Sequence, residues 1–181
     1  MLFAICGHKR HGKDSIADVL VAHFGFRKDQ FARPMKEACS AIFGWSAEYI
    51  ENEKETIDPR WGISPRQALM LLGTEWGQYM LSGEFPEFKR ITGRKLWARR
   101  TLDLYNPSEN LVISDMRFPH EAEEVRERGG KIIRVIRPTF PTDLSHESEK
   151  AVGDIQADIY VCNGGTLQDL RDGVIRDVDK W

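Results

Sequence analysis

Short apolar runs alternate with longer amphipathic ones along this chain. Leu2-Phe3-Ala4-Ile5-Cys6, Leu111-Val112-Ile113-Ser114-Asp115, Ile132-Ile133-Arg134-Val135-Ile136 and Asp158-Ile159-Tyr160-Val161-Cys162 have the length and composition of buried strands. Phe26 to Ala32 is a weaker fifth candidate, punctuated by Arg33-Pro34. Helical spacing dominates between them. Ile16, Val19, Leu20 and Phe24 share one face of a helix that Gly25 should end, and Met35 to Phe43 reads as a second that stops at Gly44. Residues 46–110 carry no strand alternation and read as mostly helical, with Ser46 as a first cap. Ser64-Pro65-Arg66-Gln67 is a capping box followed by an apolar stripe of Leu69, Leu72, Trp76 and Tyr79. Gly73 and Gly77 lie beside that stripe, each costing about 1 kcal/mol relative to alanine, which points to close approach by a neighbouring helix or a ligand. Pro119 opens another helix that Gly129-Gly130 stops. Thr166 starts the last, with Leu167, Leu170, Val174 and Val178 on one side. Strands separated by helices throughout imply an α/β fold, a parallel sheet with helices on both faces.

A length of 181 residues fits one domain with a full core, the helical stretch 46–110 being an insertion. The formal charge of −2 offers no basic excess for binding a nucleic-acid polymer. Cys6, Cys39 and Cys162 are odd in number and have no metal-ligand spacing. Cys6 and Cys162 fall in apolar strand-like runs, which predicts buried thiols in a reducing compartment. No charged leader precedes the first strand and no run reaches membrane-spanning length, so the expectation is a soluble, cytoplasmic protein without a membrane partner.

The chemistry concentrates after the first strand. Gly7-His8-Lys9-Arg10-His11-Gly12-Lys13-Asp14-Ser15 places Gly-x-x-x-x-Gly-Lys between a strand and a helix. That string turns up by chance in about one chain in twenty of this length, and its flanking elements lower the odds several-fold. Glycines let backbone N–H groups turn into a concavity, the helix behind adds unpaired donors, and Lys13 would reach the β- and γ-phosphates of a triphosphate. A hydroxyl usually follows the lysine as a Mg²⁺ ligand. Here Asp14 follows, and the hydroxyl comes one residue later at Ser15. Asp115 and Arg117 stand in the turn after the third strand, where ligands of parallel sheets gather, so Asp115 should meet whatever Lys13 holds. The glutamates of the following helix, Glu121, Glu123 and Glu124, suit its dipole. Gly93 to Arg100 is the most basic stretch, either a source of arginines and a stacking ring at Trp97 or the wet side of a helix. The polar stretch Thr139 to Gln156 reads as a flap rather than core.

Taken together, these residues resemble a known family. Gly-x-Lys-Arg-x-Gly-Lys-Asp-Ser, Phe31-Ala-Arg-Pro-Met-Lys36, Ser64-Pro-Arg66-Gln with Gly73-Thr74-Glu75, Asp115-Met-Arg117-Phe118-Pro-His-Glu121, His146-x-Ser148-Glu149 and Asn163-Gly-Gly165-Thr166 look like the deoxynucleoside monophosphate kinases of tailed bacteriophages, over nearly the whole chain. The resemblance implies a P-loop NTPase fold, a three-layer α/β/α arrangement with a mostly parallel five-stranded sheet, as a single kinase domain with a helical acceptor-binding insertion and the flap around 139–156. It implies phosphoryl transfer from ATP, with Mg²⁺, to a deoxynucleoside 5′-monophosphate, in the host cytosol for a phage-encoded enzyme. A homodimer is compatible with it. By the same resemblance Gly7, Lys9, Gly12, Lys13, Asp14 and Ser15 would hold the donor phosphates, with Asp14 and Ser15 at the metal. Asn163, Gly165 and Thr166 would border the adenine. Arg66, Trp97, Asp115, Arg117, Phe118 and Glu121 would line the acceptor site, with Lys36 near its phosphate. Arg33 and His120 stand where the family often has Asp and Asn, which leaves the acceptor base open.

An acceptor phosphate oxygen is already ionised, so the reaction needs positioning and charge neutralisation rather than a strong base. Lys13, Mg²⁺ and one or more arginines would supply this, with Asp115 as a further catalytic residue. Arg137, at a strand end beside the flap, is the first choice, with Arg99 and Arg100 as alternatives. Two other readings keep the same loop: a kinase of another small acceptor such as dephospho-coenzyme A, and a non-enzymatic nucleotide-gated binding protein.

Overall fold

The computed structural model describes residues 1–141 and 147–180. They divide into two compact units, Met1–Gln30 with Leu104–Trp181, and Phe31–Asp103.

The first unit begins with β1 (Leu2–Cys6), all of it buried, and α1 (Lys13–Phe24), which ends on Gly25 in the left-handed conformation the sequence predicts. β2 (Arg27–Asp29) follows. The second unit then carries α2 (Arg33–Phe43), α3 (Ala47–Asn52), α4 (Pro65–Met70), a π-helix (Leu71–Met80), α5 (Leu81–Glu84), α6 (Pro86–Ile91) and α7 (Leu96–Leu102). The chain returns through β3 (Leu111–Met116), α8 (Pro119–Glu127), β4 (Lys131–Ile136), α9 (Glu147–Ala151), β5 (Ile159–Cys162) and α10 (Leu167–Val178).

The five strands form one sheet in the order β2-β3-β1-β4-β5, and every pairing is parallel. Phe3, Ile5, Ile133 and Val135 meet Ile16, Leu20, Leu170 and Val174, so α1 and α10 cover one face. α8 packs on β1 and β4, and the tight approach of Gly130 to Val125 and Leu2 marks that contact. One irregularity matters for the site. Ala4 pairs with Ile113 and Cys6 with Met116, so β3 holds one extra residue against β1 between those pairs. The extra residue is a bulge at Ser114-Asp115, a device that re-aims side chains at a strand end.

The second unit has its own core of Cys39, Trp45, Ile50 and Ala68, with Phe43, Tyr49, Leu69 and Leu72 packed against it. Ser46 caps α3, and Ser64 and Gln67 close the expected capping box. Arg33 and Pro34, read as a break, instead open α2, because proline suits the first turn of a helix.

Three sequence expectations fail for identifiable reasons. The stripe Leu69, Leu72, Trp76, Tyr79 assumes α-helical spacing, but Leu71–Met80 is hydrogen-bonded one residue wider. Trp76 and Tyr79 are therefore 37% and 42% exposed, and Gly73, Gly77 and Gln78 take the buried side. Leu167 leaves the core stripe of α10 and is 70% exposed. Cys162 is exposed although Cys6 and Cys39 are buried, since β5 is an edge strand that buries only alternate residues, Ile159 and Val161.

Candidate functional site

The glycine loop turns where the sequence places it. Gly12, at φ +103°, precedes α1, and an added Cβ there would lie 2.6 Å from Asn163 Nδ2. A Cβ on Gly7 would lie 2.8 Å from the Val135 carbonyl oxygen. Arg10 holds a left-handed φ of 65°, which non-glycine residues rarely adopt and which clusters at ligand-binding loops. Asn163, in the turn after β5, donates to the His11 carbonyl at 2.9 Å and so clips the loop from the side.

Lys13 is buried, and its ammonium donates to the carbonyls of Gly7 at 2.7 Å and His8 at 2.9 Å. Burial, followed by the Arg117 charge, pulls its pKa down to about 8, against the opposing charges of Glu149, Asp14 and Asp115. The Asp115 carboxylate, at the irregularity of β3, is one of the negative charges that oppose this lowering.

Arg117 and Phe118 lead from β3 into α8, and their backbone N–H groups donate to Glu121 Oε2 at 2.7 and 3.0 Å. Glu121 is buried. Its pKa is pushed up to about 7 by burial, with the Asp115 charge adding to it and the two N–H donors opposing. The Arg117 guanidinium pairs with Glu149. Glu149 has no place in a reading by motif roles, and only its position in the His146-x-Ser148-Glu149 string pointed to it. Residues 142–146 of the expected flap, His146 among them, lie outside the described residues. The described part of that stretch is not all polar cover, since α9 buries Ser148 and Glu149 and a following turn buries Val152.

On the other side of the loop a cavity of about 410 Å³ is lined by Arg10, Gly12, Lys13, Asp14, Ser15, Arg137, Asn163, Gly165, Leu167 and Leu170. Its position explains the exposure of Leu167, which forms a wall rather than core. Arg137 donates its backbone N–H to His11 Nδ1 at 3.3 Å and an Nη1 hydrogen to the Arg10 carbonyl at 3.4 Å, with its guanidinium over Phe140. Nδ1 of His11 is thus the acceptor, which leaves the Nε2 proton buried without a partner among the described residues. Burial and the nearby His8 and Lys13 lower the pKa of His11. Thr166 caps α10 in a reciprocal box with Asp169.

The donor set suits a hard cation bound with a triphosphate. Asp14 and Ser15 both border the cavity from the first turn of α1, and the Asp14 carboxylate is largely exposed, with Lys28 Nζ at 3.0 Å. Among the described residues no three or more His, Cys, Asp or Glu side chains gather as a metal site.

The remaining predicted residues belong to the second unit. Lys36 pairs with Glu51, and Arg66 pairs with Glu55. Trp97 is buried on the π-helix, its indole N–H donating to the Gly73 carbonyl at 2.9 Å. The two glycines that suggested a close approach thus make room for Trp97 at Gly77 and Met35 at Gly73, which is helix packing. Arg99 donates to the Ile91 carbonyl.

Comparison with known proteins places the chain in a group. A family model described as deoxynucleotide monophosphate kinase matches residues 85–174. A protein of Acanthamoeba polyphaga mimivirus assigned the same activity is 36% identical over 187 residues, which span 99% of this chain and 96% of that protein. The deoxynucleotide monophosphate kinase of Enterobacteria phage T4 is 22% identical over 237 residues, 93% of this chain and 95% of its own length. Among solved structures, shikimate kinase from Aquifex aeolicus shares the fold, with a TM-score of 0.50 at 14% identity, covering 99% of this chain and 97% of that one.

Proposed function

The chain belongs to the deoxynucleotide monophosphate kinase family, and from that premise we propose that it transfers the γ-phosphoryl group of ATP to a deoxynucleoside 5′-monophosphate, giving ADP and a diphosphate. The observation that carries this reading is the buried Lys13 of the glycine loop, which lines the cavity, with Arg117 tied to the same loop through Glu149.

In this reading the backbone amides of the loop from Gly7 to Ser15, Lys9 included, and the Lys13 ammonium hold the β- and γ-phosphates. The adenine lies in the cavity against Asn163, Gly165 and Thr166. Asp115, Arg117, Phe118 and Glu121 receive the acceptor, where Arg117 balances its phosphate. The bond between the γ-phosphorus and the β–γ bridging oxygen breaks as one forms to an acceptor phosphate oxygen, and ADP leaves. The attacking oxygen is already ionised, so no proton need move. Lys13 and Arg137 neutralise charge on the transferring group, which is most of what an enzyme contributes to such a step. Mg²⁺, when bound through Asp14 and Ser15, would supply further neutralisation of the β and γ oxygens.

The test is a set of initial rates with ATP and Mg²⁺ against the four deoxynucleoside monophosphates, their ribose counterparts and dephospho-coenzyme A. A deoxynucleotide should be the preferred acceptor, and Lys13→Ala should abolish turnover. Arg137→Ala should lower kcat by about 10²–10³-fold. Near-normal turnover in the Arg137 variant would move that role to another arginine, and preference for dephospho-coenzyme A would replace the acceptor class.

A further inference from the structure

Glu149 stands inside the site, and the reaction just described assigns it nothing. It is 6% exposed, and a carboxylate that deep persists only with partners. It has them from two elements. Oε2 accepts the Lys9 backbone N–H at 3.0 Å and faces His8 Nδ1 at 3.2 Å, both in the glycine loop. Oε1 holds the guanidinium of Arg117, in the turn after β3. One carboxylate on α9 therefore spans from the loop that would grip the donor to the arginine that would face the acceptor.

We propose that Glu149 is a positioning residue that fixes the gap between the phosphate loop and Arg117, and with it the separation at which the two substrates' phosphates meet. This rests on the proposed kinase reading. The reason is mechanical as well as electrostatic. Arg117 has a long side chain, one third exposed, that would otherwise sample many rotamers beside the like charge of Lys13. A buried anion that is itself pinned by the Lys9 amide holds the guanidinium in one place, and an error of about 1 Å in such placement costs about 10²-fold in rate. The contacts of Glu149 run to the loop and to Arg117, so it acts through them.

Glu149→Gln is nearly isosteric and keeps an acceptor for the Lys9 amide, but it removes the charge facing Arg117. It should melt within a few degrees of the wild type and lose about 10–100-fold in kcat. In an Arg117→Ala background the same substitution should cost less than about 3-fold, because the partner through which it acts is gone. Lys150→Gln, an exposed change on the same helix, should leave both rates alone. Wild-type kcat in Glu149→Gln, or losses that multiply fully in the double variant, would overturn the proposal. A second readout needs no turnover: the NMR resonances of the Lys9 amide and the Arg117 guanidinium should both move in Glu149→Gln and neither in Lys150→Gln. If the wild type phosphorylates no acceptor, the kinase reading fails, and resonances that stay in place would sink the positioning role as well.

Discussion

Glu121 is a carboxyl group held where its charge is poorly solvated. Burial and Asp115 lift its pKa from an ordinary 4.5 to about 7, and the N–H groups of Arg117 and Phe118 recover only part of the loss. A folded-state value above the unfolded one means that the folded chain binds an extra proton between about pH 4.5 and 7, so this group's contribution to stability declines as pH rises through that window. Glu121→Gln still accepts both N–H bonds and has no charge to desolvate. Urea denaturation at pH 5 and pH 8 should show the wild type losing about 1–3 kcal/mol more than the variant over that interval, and identical losses would mean Glu121 is ionised throughout. The sequence marked Glu121 by its place in the first turn of a helix and by family resemblance, while its burial was invisible. A glutamate at the start of a helix is ordinary, and its burial together with the nearby Asp115 makes this one expensive. Gly12 and Lys13 needed no such context, because their motif is local.

At the scale of elements the π-helix is the clearest departure from pattern. The two glycines were legible as sites of close approach, since their cost demands a compensating contact. The wider turn was not, because no residue type specifies it. Two glycines therefore respond oppositely to one substitution. A methyl at Gly77 would lie 2.6–2.8 Å from the Trp97 indole, so Gly77→Ala should destabilise by about 1–3 kcal/mol. Gly83, in α5, has nothing within 4 Å, and Gly83→Ala should be neutral or stabilise by up to about 1 kcal/mol. Thermal denaturation of both variants checks the pair, and equal effects would mean the glycines matter only through backbone freedom.

For the whole molecule, binding and stability are linked. Ligands that bind only the folded chain raise its melting temperature. With ATP and Mg²⁺ at about 100 times Kd the gain is about 2.7 kcal/mol, or about 5–10 °C for a chain of this size. Lys13→Ala should melt normally without nucleotide and lose most of that shift. An unchanged shift would show that the triphosphate binds away from the loop. No helix among the described residues is long and apolar enough to cross a membrane.

Local chemistry was enough to place the five strands, the caps at Ser46, Ser64 and Thr166, the left-handed stops at Gly25 and Gly44 and the glycine turn before α1, because each depends on residues within a turn or two of chain. The parallel sheet followed from the alternation of strands and helices. What tertiary structure alone decided are features made by residues distant in sequence. These are the order β2-β3-β1-β4-β5, the register irregularity of β3 at Ser114-Asp115, and the exposure of Cys162 on an edge strand. The union of Lys9 and Arg117 on the buried carboxylate of Glu149 belongs with them. Burial and electrostatic neighbourhood arise only when the sheet assembles, so the charges that tune the site could not be weighed before it did.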